Sequence, residues 1–73
     1  MNDAANRLGF KEAAWQSAVR VSAGILIRDH GDGALIQARF LIIQAEMDNN
    51  ERAVSFWRAV HDVIDNGSHR LDQ

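Results

Sequence analysis

Residues 34–47, ALIQARFLIIQAEM, restrict the possible folds more than any other stretch of this chain. At about 100° per residue, Ala34, Leu35, Ala38, Leu41, Ile42 and Ala45 fall on one side of a helix, and Ile36, Phe40, Ile43 and Met47 fall on the opposite side. A surface helix carries one apolar stripe and a polar back, so a helix with two apolar faces needs two neighbours. Polar residues are confined to its edges, with Gln37, Gln44 and Asp48 along one and Arg39 and Glu46 along the other.

The flanking segments supply one set of neighbours. Upstream, Gly9 is suited to cap a helix, Glu12 stands in its first turn, and Ala14, Trp15, Ala18, Ser22, Ile25 and Leu26 recur at spacings of three and four. Ala18, Ser22 and Ala23 keep the middle of this helix slim, and Val21, Ile25 and Arg28 broaden its apolar face on one flank. Arg28 and His30 suit a helix C-terminus, Gly31 can adopt the left-handed conformation that ends it, and Asp32 can cap the next helix. Downstream, Asp48, Asn49 and Asn50 break the pattern, and either Asn can cap a third helix that opens with Glu51. In that helix Ala53, Phe56, Trp57, Val60, Val63 and Ile64 share a face opposed by Ser55, Arg58, Asp62 and Asp65, and Asn66 and Gly67 signal its end. The expected fold is all-α: three antiparallel helices at about 10–29, 33–47 and 51–65 joined by short turns. Residues 1–9 are expected to fray, 10–66 to form the domain, and 67–73 to be a polar tail.

Seventy-three residues lie near the lower size at which one core holds itself together, and with no cysteine there are neither disulfides nor thiolate metal sites. Oligomerisation is then an available source of extra core. If the first and third helices share the Leu35, Ala38 and Ile42 face, the Ile36, Phe40, Ile43 and Met47 stripe is left for a second copy of the protein. The alternative places the outer helices on opposite sides of the second. The shared-face arrangement is preferred, with a homodimer formed through the second helix and those four residues as its candidate interface.

The chain offers little to catalysis. A calcium loop starting at Asp29 would need a carboxylate at its twelfth position, which is Phe40. His61 and Asp65, four apart on a helix, are two potential ligands rather than a site, with His69 in the tail, and read as a solvated histidine beside an aspartate. Ser17, Ser22, Ser55 and Ser68 have no nucleophile elbow around them, and Gly31 and Gly33 have neither the preceding strand nor the following Lys-Ser/Thr of a phosphate loop. Trp15, Phe56 and Trp57 lie at core spacing rather than forming a ligand box. No enzyme activity, cofactor or metal is expected.

A net charge of −2 with both signs interspersed is not a nucleic-acid footprint. A small dimeric DNA-associated regulator, the alternative function, would have to gather Arg39, Arg52 and Arg58 of two chains into one basic surface. The start MNDAANRLGF lacks the basic and apolar regions of an export signal, and the longest aliphatic or aromatic run, Phe40 to Ile43, is too short to span a bilayer. A cytoplasmic location and no membrane partner follow as expectations.

From His30 to Val63, on His30, Gly31, Arg39, Asp48 and Trp57, the chain resembles a group of short uncharacterised alphaproteobacterial all-helical proteins with a His-Gly turn and a Trp-bearing last helix. The resemblance implies a bacterial cytoplasmic helical protein and no particular activity. The segment NNERAVSFWRAV also resembles part of a tetratricopeptide hairpin, with Ala53 and Trp57 at the alanine and aromatic positions, but no second copy follows at the repeat period. The expected role is a small non-catalytic helical protein that acts through protein–protein interaction with an unidentified protein partner.

Overall fold

The computed structural model describes the backbone of residues 3–71 and the side chains of residues 12–67. Helix α1 spans Asp3–His30, a 3-10 turn occupies Gly31–Gly33, α2 spans Ala34–Met47 and α3 spans Glu51–Leu71. No strand occurs among the described residues, as an all-α fold requires. The expectation of three separate helices needs correction. No residue intervenes between α1, the 3-10 turn and α2, so these two helices are joined through that turn and the chain forms two helical stretches, 3–47 and 51–71.

Both outer ends extend further than the capping signals indicated. Gly9 lies inside α1 instead of capping it, and α3 continues through Asn66 and Gly67 to Leu71, well into the expected tail. A glycine inside a helix costs about 1 kcal/mol relative to alanine, which weakens a helix without ending it. The chain contains no proline, the residue that would enforce a stop. The side chains of His69 and Leu71 lie outside the described ones.

The inner junctions are built from named backbone bonds. Gly31 adopts φ +54°, the left-handed conformation expected of it, and the Ala34 N–H donates to the Gly31 carbonyl. Asp32 does not cap α2. Gly33 holds the cap position and no side chain bonds there, because the 3-10 turn already satisfies the Ala34 amide with backbone. At the other junction Asn49 takes φ +56°, its N–H donates to the Glu46 carbonyl at 3.1 Å, and the Asn50 N–H donates to the Ala45 carbonyl at 3.0 Å. This is a Schellman ending with asparagine in the left-handed position usually held by glycine. Asn50 then starts α3: its Oδ1 accepts from the Ala53 N–H at 3.1 Å and its carbonyl from the Val54 N–H at 3.0 Å. Of the two candidate caps, Asn50 is the one used.

The helices meet over a thin core. Val19, Ala23, Leu26, Ala34, Ala38, Val60 and Ile64 form its buried cluster, with Trp15, Leu35, Leu41, Phe56, Trp57 and Ala59 packed around it. Trp15 stands edge-on to Phe56 at 5.3 Å and Phe56 edge-on to Trp57 at 5.0 Å, so these rings anchor α1 to α3. Alanines 34, 38 and 45 form the buried side of α2, and α2 packs most extensively against α3. The inward face of α1 is rotated from the expected one: Val19 and Ala23 are buried with Leu26, while Ala14, Ala18 and Ile25 point outward. Choosing Val19 over Ala14 and Ala18 puts a branched side chain where α1 meets Val60 and Ile64 in the core cluster.

Candidate interaction surface

Because alanines 34, 38 and 45 face the core, the residues half a turn away must face out. Ile36 is 59% exposed, Phe40 61%, Ile43 51% and Met47 78%. All four predicted stripe residues therefore share one outward face, on a helix about 21 Å long. Leu35, Leu41 and Ile42 are half-buried beside the alanines, so α1 and α3 leave the opposite stripe uncovered. On α1, Val21 and Ile25 add a second exposed apolar strip beside Ala14 and Ala18.

The edges of the α2 stripe differ in chemistry. Arg39 and Glu46 lie seven residues apart along one edge, both exposed, and Gln37 and Gln44 lie seven apart along the other. Glu46 Oε2 stands 3.7 Å from Arg58 Nη2 of α3, while Arg39 has no carboxylate partner among the described residues. Arg52 borders a shallow depression beside Trp15, Phe56 and Trp57, away from the side of α3 on which Arg58 meets Glu46. Within one chain Arg52 and Arg58 do not form a common basic face.

The other residues considered for chemistry are dispersed. Asp29, His30 and Asp32 are all exposed at the α1–α2 junction, and Asp29 pairs with its neighbour Arg28 at 3.3 Å. No three His, Asp or Glu side chains gather into a metal-holding group among the described residues. His61 is not the solvated residue expected beside Asp65. Its side chain is only 21% exposed, its Nδ1 lies 3.9 Å from Asp62 and its Nε2 is buried without a hydrogen-bond partner among the described residues. Four residues after Trp57 and three before Ile64, His61 shares their side of the helix and is covered at the edge of the core. A groove between α1 and α3, of about 390 Å³, is lined by Glu12, Trp15, Arg20, Asp62 and Val63 among others, with charges of both signs on its rim.

The fold and surface define a class: a small all-helical protein with a thin, alanine-rich core and an uncovered apolar seam along its middle helix. No protein-family model, curated protein or solved structure matches this chain. No helix among the described residues is long and apolar enough to cross a membrane.

Proposed function

We propose that this is a small non-catalytic helical protein that acts by binding protein, with successive helices antiparallel and two copies joined through α2. The observation that carries this reading is where the chain places its bulk. Of the eight described residues that are buried, Ala23, Ala34, Ala38 and Ala45 are alanine, and Val60 is the largest side chain that is fully enclosed. Meanwhile Val21, Ile25, Ile27, Ile36, Phe40, Ile43, Met47 and Val63 are exposed. On α2 the fully buried side chains are all alanine while Ile36, Phe40, Ile43 and Met47 lie outside, which suits a protomer whose core is completed by another. The Cα radius of gyration, 14.2 Å, agrees: a compact chain of this length would have about 11 Å.

The energetics permit a stable pair. Fully burying a large aliphatic or aromatic side chain is worth about 1.5–3 kcal/mol, so four residues half to three-quarters exposed recover about 1–2 kcal/mol each. Two protomers together then gain about 8–16 kcal/mol, against an association cost of about 4–15 kcal/mol. The resemblance to short bacterial helical proteins is consistent with a cytoplasmic binding role and adds no activity to it.

The solution mass of the chain, measured by light scattering across a concentration series, tests the reading. Twice the 8.2 kDa of one chain is expected. A mass of one chain at every concentration would overturn the homodimer.

A further inference from the structure

We infer that the two copies pair through antiparallel α2 helices, about a two-fold axis crossing the seam between Phe40 and Ile43, with Arg39 of each protomer facing the partner's Glu46. This inference rests on the homodimer proposed above and specifies its geometry.

The seam residues stand at 36, 40, 43 and 47, with gaps of four, three and four. This is the spacing of a coiled-coil seam, and it reads the same in both directions. In an antiparallel pair Ile36 is therefore level with the partner's Met47, and Phe40 with the partner's Ile43. A parallel pair would also align apolar residues, so the seam alone does not choose. The edges do.

A two-fold axis lying in the contact plane brings each edge of α2 against the same edge of its partner. The charged edge then meets the charged edge, and because Arg39 and Glu46 lie on opposite sides of the axis, about 4 and 7 Å from it along the helix, each arginine comes within about 3 Å of level with the partner's glutamate, inside the reach of its side chain. Two ion pairs form by symmetry. On the other edge Gln37 meets the partner's Gln44, and amides both donate and accept. A parallel pair would set the charged edge against the amide edge and form neither ion pair. Glu46 retains capacity for a second cation: it is half-exposed, Arg58 approaches one of its oxygens at 3.7 Å, and a carboxylate has about four acceptor sites. Arg39 is exposed and unpaired with any carboxylate among the described residues. Pairing would join Arg58, Glu46 and the partner's Arg39 into one charge network across the interface.

Charge reversal tests the orientation by sedimentation equilibrium and native mass spectrometry on the full chain. Arg39→Glu and Glu46→Arg each place like charges opposite one another twice per dimer, so each is expected to weaken self-association about tenfold or more. Mixed in equal amounts, the two variants restore both attractive pairs and should form a heterodimer in preference to either homodimer. The double variant Arg39→Glu/Glu46→Arg should self-associate close to wild type, and it keeps the test decisive if one single variant misfolds. A wild-type chain that is dimeric while the mixture forms no preferential heterodimer would overturn the antiparallel geometry alone. A wild-type chain that stays monomeric would overturn the underlying homodimer.

Discussion

Phe40→Asp separates the seam from the fold most sharply. Phe40 is 61% exposed, which leaves roughly 120 Å² of an aromatic side chain of about 200 Å² open to solvent. Covering that exposed share recovers about 2 kcal/mol of the roughly 3 kcal/mol that full burial of a phenylalanine is worth, and about 4 kcal/mol per dimer because both protomers contribute. Aspartate forfeits this burial and brings an unpaired charge into the seam, so dimer Kd should rise by about three powers of ten or more. Inside one chain the same change costs little. Phe and Asp have similar helix propensities, and an outward-facing substitution typically shifts stability by about 0.5 kcal/mol, or about 3 °C in a domain of this size. Sedimentation equilibrium from about 1 µM to about 1 mM reads association, and thermal melts over the same range separate folding from assembly, because a dimer's melting temperature rises with concentration. The variant should be a folded monomer whose melt does not depend on concentration. Wild-type association in the variant would remove Phe40 from the interface. A loss of more than about 10 °C relative to a wild-type melt that is itself independent of concentration would place Phe40 in a packed core and refute the outward orientation of the stripe.

Three further outcomes concern the scaffold that presents the seam. Asn50→Ala removes the 3.1 Å bond to the Ala53 amide and should cost about 1 kcal/mol in urea unfolding, whereas Asn50→Asp should keep the cap; equal losses for both would mean that the side-chain bond contributes nothing. Gly31→Ala should destabilise by about 1 kcal/mol because alanine resists φ +54°, and since an added Cβ meets nothing within 4 Å, Gly31→Asn should recover part of the loss; recovery would fail if crowding were the cause. Ala38→Leu forces a large side chain into a site with 0% exposure and should cost about 1–3 kcal/mol, while Ile36→Leu, at a 59% exposed site on the same helix, should leave thermal stability of the diluted protein unchanged. Similar effects at 36 and 38 would contradict the two-sided assignment of α2.

The division of α2 into an alanine side and a large apolar side was legible in the sequence, because both its register and the orientation of its side chains follow from one helical period. The same holds for Gly31 and Asn50, whose backbone and capping preferences are local. Other features depended on tertiary packing. Gly9 and Gly67 look like boundaries in isolation, yet a glycine's modest cost is met by the helix that continues on either side of it. Val19 and Ala23 were chosen over Ala14 and Ala18 because α1 could turn either of two weakly apolar faces inward, and contact with Val60 and Ile64 decided between them. His61 looked solvated four residues before Asp65, but its position between Trp57 and Ile64 covers it. The helical character of the chain and the two faces of α2 follow from residue order alone, since these are periodic, short-range properties. That α1 and α3 both cover the alanine face and leave Ile36, Phe40, Ile43 and Met47 open is a result of packing between helices, because small side chains permit the closest helix approach and large ones prevent it.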